Sequence, residues 1–130
     1  MIVDSSALLA VILGEDDGAR MAEAMVDAPC CRISAANWLE AAIVVDNRRN
    51  PGASDRFDDL LQALRVEVVP FDARQAALAR AAHLRFGKGH KAKLNFGDCM
   101  AYALAKASGE PLLFKGGDFA RTDIEPALKD

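Results

Sequence analysis

Cysteine, histidine and aromatic residues are scarce in this chain, and each scarcity removes a class of function. The three cysteines are Cys30, Cys31 and Cys99. An odd count with one adjacent pair makes no disulfide framework, and no C-x-x-C knuckle is present. All three read as small hydrophobes of the core or its margin. The two histidines, His83 and His90, argue against a zinc site or a Ser-His-Asp triad and read as surface residues or substrate contacts. No RNP-type aromatic motif is visible, so recognition through stacked bases is not expected. Neither G-x-G-x-x-G nor G-x-x-x-x-G-K-[ST] occurs, which argues against a dinucleotide fold and a P-loop. The apolar run Ala7 to Leu13 is too short to span a bilayer, and no basic segment precedes it as in a signal peptide. A cytoplasmic protein with no membrane association is expected.

What is present fits one ordered domain over residues 1–130, with 52% hydrophobic and 27% charged residues. The net charge of -3 argues against binding nucleic acid by overall charge. Its distribution is uneven. From Ala73 to Gly97 there is no acid, while Arg74, Arg80, Arg85, Lys88, Lys91 and Lys93 all fall there. By itself such a run is as well explained by a solvated helix face and loop.

Short apolar strands alternate with longer helical segments. Met1 to Val3 reads as a buried strand ending at Asp4, with Ser5 capping a helix to about Leu13. Ala19 to Ala28 is a second helix, closed by Pro29. Cys30 to Ile33 is a strand, and Ser34 caps Ala35 to about Arg48. Asn50-Pro51-Gly52 is a turn, and Ser54 caps a helix to about Leu64. Val66 to Val69 is a strand, and Asp72 caps Ala73 to Phe86. A helix from about Asn95 to Ala107 precedes the strand Leu112 to Phe114, and Thr122 to Pro126 is expected as a last edge strand. This order predicts an α/β fold, a parallel sheet covered by helices on both faces. In such sheets the working site lies at the carboxyl ends of the strands.

That rule selects four acids: Asp4, Glu40, Asp98 and Asp118. Each has an ordinary explanation. Asp4 could cap the first helix, although Ser5 and Ser6 offer the same service. Asp98 fits the third position of a helix capped by Asn95, where an acid favours the macrodipole by roughly 0.3–1 kcal/mol. Asp118 could be a turn acid. Glu40 is harder to dismiss, since it is the only charge between Arg32 and Asp46, on a helix apolar enough to be expected buried all round. Clustered carboxylates repel one another, and a divalent cation relieves that repulsion. Magnesium and manganese suit oxygen ligands and support phosphodiester hydrolysis.

Three stretches carry a resemblance: "MIVDSSALLAVILGE", "ISAANWLEAAIVV" and "LNFGDCMAYALAKASGEPLLFKGGDFARTDI". In order and spacing they resemble PIN-domain ribonucleases, and more narrowly the VapC toxins of type II toxin–antitoxin pairs. The resemblance covers essentially the whole chain. It implies a PIN-like α/β/α sandwich with a central parallel sheet of four or five strands flanked by helices, and a Mg2+- or Mn2+-dependent endoribonuclease. It assigns Asp4 and Asp98 as metal ligands, Glu40 to the attacking water, Asp118 to completing the pocket, and Ser6 to holding a carboxylate or a water. It also implies a VapB-like antitoxin that masks the acids, and a homodimer. The chain departs from many PIN domains after the last buried strand. Phe114-Lys115-Gly116-Gly117 stands where a further acid and a small hydroxyl residue are common, which leaves the number of metals open. The basic stretch then gains a purpose, because an acidic pocket repels RNA and nearby cations must recruit its backbone. Arg80, Arg85, Lys88, Lys91, Lys93 and Lys115 are the candidates. Two alternatives share the fold class: a receiver-like domain phosphorylated at Asp72, and a binding-only PIN-like domain without activity.

Overall fold

A computed structural model describes residues 1–129. Four strands are present among them: β1 (Ile2–Val3), β2 (Arg32–Ser34), β3 (Glu67–Val69) and β4 (Leu112–Leu113). They pair in the order β3-β2-β1-β4, and every pairing is parallel. Six helices connect them: α1 (Ser5–Ile12), α2 (Gly18–Asp27), α3 (Ala35–Asn47), α4 (Pro51–Ala63), α5 (Ala73–Phe86) and α6 (Phe96–Ser108).

Side-chain alternation along a strand builds two cores. On β1 and β4, Ile2 and Leu112 point into one core while Val3 and Leu113 point into the other, and all four are fully buried. The Val3 side is covered by α1 to α4 through Ala7, Leu8, Met21, Ala41, Val45 and Phe57. The Ile2 side is covered by α5 and α6 through Ala82, Phe86, Ala101, Tyr102 and Leu104. Each fully buried aliphatic side chain contributes about 1.5–3 kcal/mol. β1 and β4 are apolar throughout and buried on both faces, so Asp4 and Asp118 come only after those strands end.

The strand order also fixes where the crevice opens. The chain steps from β1 outward to β2 and β3, then crosses back to place β4 on the other side of β1. The helices after β1 and before β4 therefore cover opposite faces, and the carboxyl ends of β1 and β4 flank a topological switch point.

Several local expectations change. Asp4, not Ser5, caps α1: its Oδ2 accepts the Ser6 N–H at 3.0 Å. The helix predicted from Ser54 begins at Pro51 with Asn50 as its cap, because proline at the first helical position lacks the N–H that would need a partner. Ser54 instead donates its hydroxyl to Asp46. The expected edge strand Thr122 to Pro126 reduces to a single parallel bridge between Leu112 and Pro126. Helix α3 is not buried all round, since Leu39, Ile43 and Val44 on it are exposed. Its Asn37–Ala41–Val45 stripe is fully buried, and Trp38 and Ala42 pack against the core partly buried.

Candidate active site

The site is assembled at the switch point from β1, α3, α6 and the loop after β4. β1 runs into α1 with no intervening loop, so Asp4 is held at the strand end and is almost wholly buried. Its Oδ2 is satisfied by the Ser6 N–H, while its Oδ1 is buried with no hydrogen-bond partner. Burial pushes the Asp4 carboxyl up to about 6; hydrogen bonds from the Ser6 hydroxyl and backbone oppose this, and the charges of Asp98 and Glu40 reinforce it.

Glu40 stands half-buried on α3, fixed by two donors on one oxygen. The Ser5 hydroxyl donates to Oε1 at 2.5 Å, and Asn37 Nδ2 donates to the same atom at 3.4 Å. Asn37 is completely buried and also donates to the Gly97 carbonyl of α6 at 2.9 Å. Gly97 itself makes the approach possible: a β-carbon there would collide with the Glu40 carboxylate. Ser5, Asn37 and Gly97 were not anticipated as parts of the site. Nothing local marks Ser5 or Gly97, whose partners lie 35 and 60 residues away, whereas Asn37 stands three residues before Glu40 on one helix face, a spacing that was legible.

Asp98 closes the capping box anticipated for α6. Its N–H donates to Asn95 Oδ1 at 2.9 Å, and the Asn95 N–H donates to its Oδ2 at 3.0 Å. These bonds do not fully offset desolvation. Burial raises the Asp98 pKa first, and the charges of Asp118 and Glu40 raise it further. Asp118 is exposed ahead of the 3₁₀ turn Phe119–Arg121 and makes no side-chain capping bond there. The four acids thus form one electrostatically coupled group in which Asp98 feels Asp118 and Glu40, and Asp4 feels Asp98 and Glu40.

Among the described residues no three His, Cys, Asp or Glu side chains close into a ready-made metal cage. A divalent cation nevertheless fits the donor set. The unpartnered buried oxygen of Asp4 lacks a positive neighbour, the repulsion raising both aspartates calls for one, and every donor is an oxygen. Magnesium commonly takes one or two carboxylates and completes its shell with water.

The family model of the PIN domain matches residues 1–125. The chain belongs to the PIN domain family. Curated relatives span nearly its whole length. It is 49% identical to Ribonuclease VapC28 of Mycobacterium tuberculosis over 130 residues, covering 98% of each chain. Ribonuclease VapC of Mycolicibacterium smegmatis is 46% identical over 125 residues, covering 95% of this chain and 97% of the relative. These identities place the chain among the VapC proteins within the PIN family. Solved structures agree in fold. Mycobacterium tuberculosis VapC20, a sarcin-ricin loop cleaving toxin, superposes with a TM-score of 0.77 at 17% identity over 95% of both chains. A toxin–antitoxin complex from Klebsiella pneumoniae superposes at 0.72 and 19% identity, over 94% of this chain and 92% of that one.

In this PIN domain the basic residues separate into groups. Arg80 and Lys88 line a groove between α5 and α6, as does the exposed His83. Arg85 pairs with Asp123 at 3.3 Å. Lys91 and Lys93 are exposed, the latter at a φ of 51°. Lys115 Nζ pairs with Glu15 at 2.6 Å, while its backbone N–H donates to Ser6 Oγ at 3.0 Å. Ser6 thereby ties the end of β4 to the start of α1, in addition to supporting Asp4. His90 is structural: its Nδ1 accepts the Ala92 N–H and its ring meets the edge of Phe86.

Proposed function

We propose that this protein is the toxin half of a type II toxin–antitoxin pair, an endoribonuclease that hydrolyses RNA phosphodiester bonds at the Asp4, Glu40, Asp98 and Asp118 cluster. The observation that carries the proposal is the buried, unpartnered Oδ1 of Asp4, facing the charges of two further carboxylates at the switch point. A domain that only bound a partner would gain nothing from that repulsion. The names of the VapC ribonucleases at 43–49% identity point the same way.

Asp4 and Asp98 would hold Mg2+ or Mn2+, with Asp118 completing the pocket. Bound there, the cation would lower the pKa of a coordinated water and neutralise charge on the phosphoryl oxygens. Glu40 is the proton acceptor of the site. Ser5 and Asn37 engage its Oε1 and leave Oε2 to take a proton from the attacking water. Asn37, bonded to both Glu40 and the α6 backbone, keeps this base in register with Asp98. Exposed Arg80, Lys88, Lys91 and Lys93 would draw the RNA backbone toward an otherwise repulsive pocket. Arg85 and Lys115 would join them only by leaving their acidic partners, Asp123 and Glu15.

A VapB-like antitoxin would silence the enzyme by covering the acids. A homodimer is supported by the apolar face of α3, where Leu39, Ile43 and Val44 are exposed. Among the described residues no helix is long and apolar enough to cross a membrane. Action on cellular RNA requires the cytoplasm. Phosphorylation at Asp72 finds no support. Asp72 caps α5 through the Gln75 N–H at 2.8 Å, after the outer strand β3 and away from the β1–β4 crevice.

The test is sequencing of RNA 5′ ends after incubation with the wild type and with Asp98→Asn. New ends that need Mg2+ or Mn2+ and vanish in the variant are expected. Cleavage untouched by EDTA, or retained in Asp98→Asn, would sink the proposal.

A further inference from the structure

Between α5 and α6 lies a groove of about 590 Å3 that the acid cluster does not use. Its floor is apolar, built from Ala76 and Ala79 of α5 and Cys99 and Met100 of α6. Phe71 and Leu94 complete the apolar part of the lining. Phe96, the first residue of α6, lines the groove and is 82% exposed. Arg80, His83 and Lys88 supply polar groups to the lining, and no Asp or Glu takes part in it.

Single exposed apolar residues are ordinary on protein surfaces. This one is not isolated: it continues an apolar groove of a size that accepts a small planar ligand. The combination selects the ligand. A flat apolar surface next to an aromatic ring suits the face of a nucleobase, and cations with no carboxylate among them suit the attached phosphates. The position selects it further. Asn95 lines the groove and its N–H donates to Asp98 Oδ2 at 3.0 Å, so the groove adjoins the acid cluster and lies within reach of a strand whose scissile phosphate sits there.

We infer that the α5–α6 groove is a base-binding subsite, in which an unpaired RNA base next to the scissile phosphate stacks on Phe96 while Arg80 and Lys88 hold the backbone. The chain lacks an RNP-type motif, so stacking was not expected from sequence; a single phenylalanine at a helix start makes the platform instead. The inference rests on the ribonuclease function proposed above and adds to it the part of the substrate that is read.

The probe is a short single-stranded oligoribonucleotide carrying one 2-aminopurine, titrated in EDTA so that it stays intact. Wild type, Phe96→Ala and Phe96→Trp are compared. The side chain is exposed, so neither change disturbs the core. Binding should quench 2-aminopurine in the wild type and in Phe96→Trp. Phe96→Ala should lose that quenching and bind roughly tenfold more weakly, as loss of one base–aromatic stack does. Equal affinity and equal quenching in all three proteins would overturn the inference. So would a fall in oligomeric mass in Phe96→Ala with RNA binding unchanged, which would show a second copy of the chain covering the groove. A separate cleavage assay with Mg2+ keeps the two proposals apart. Phe96-dependent binding without cleavage by the wild type rejects the nuclease and leaves the subsite. Metal-dependent cleavage with Phe96-independent binding does the reverse.

Discussion

The two ends of the parallel sheet treat charge in opposite ways. At the amino ends of the strands, Glu110 pairs with the Met1 ammonium at 2.7 Å and with Arg32 at the start of β2. Those charges cancel locally and staple β1, β2 and the entry to β4 together. At the carboxyl ends, Asp4 feels the charges of Asp98 and Glu40, Asp98 those of Asp118 and Glu40, and none of the four is paired with a Lys or Arg among the described residues. The first end is arranged for stability. The second holds a repulsion that the fold must carry, consistent with the cation site proposed above.

The comparison breaks most visibly in activity. Asp4→Asn and Asp98→Asn keep the shape and hydrogen-bonding capacity of the caps while removing charge. Each should lower metal-dependent RNA cleavage by about a thousandfold or more, the several kcal/mol of charge stabilisation that such a site supplies. Gel-based cleavage assays with unchanged circular dichroism check this, and near-normal activity in either variant would remove that residue from the site.

The next effect is on stability and runs with pH. Asp4 has its pKa raised to about 6 in the fold against 3.8 when unfolded, and Asp98 is raised in the same direction. Between those values the folded chain binds more protons than the unfolded one. Stability without metal should therefore rise as pH falls from 7 toward 4, by roughly 3 kcal/mol at most for Asp4. Denaturant titrations in EDTA should show this slope in the wild type and a flatter one in Asp4→Asn. An equal slope in both would mean that Asp4 is not the source.

Gly97→Ala is expected to come third. The added β-carbon displaces the Glu40 carboxylate, and misplacement of a catalytic group by about 1 Å costs on the order of a hundredfold in rate. The loss should fall on kcat with the melting temperature little changed. Retained activity would show that Glu40 can move without penalty.

The smallest effect belongs to the other end of the sheet. Glu110→Gln weakens a partly exposed ion-pair cluster and should cost about 1 kcal/mol of stability. Cleavage per folded molecule should not change. A drop in kcat there would show that the two ends are coupled.

What could be read from the chain was local. The capping box of α6 needs only Asn95 and Asp98 three residues apart, and it was legible. The alternation of buried strands and helices was legible for the same reason. Asp4 as the cap of α1 was passed over in favour of Ser5, because two serines follow it and compete for the role. The start of α4 was missed because Ser54 is also a good cap, and the proline that decides the boundary read as a turn. The burial of α3 was overestimated because composition does not reveal that a covering layer is missing from the Leu39–Ile43 side.

By itself the sequence determined the α/β class and singled out the acids that follow its strands, because strand and helix periods and residue types are properties of neighbouring residues. The tertiary structure alone decided three further things. It set β4 beside β1 rather than beyond β3, which creates the crevice. It buried Asp4 and left one of its oxygens unpartnered. It brought Ser5 and Gly97 to the Asn37–Glu40 pair of α3, and Phe96 to the mouth of a groove with a basic lining. Each of these depends on contacts between segments far apart in the chain, and desolvation and Coulomb repulsion act only after those contacts have formed.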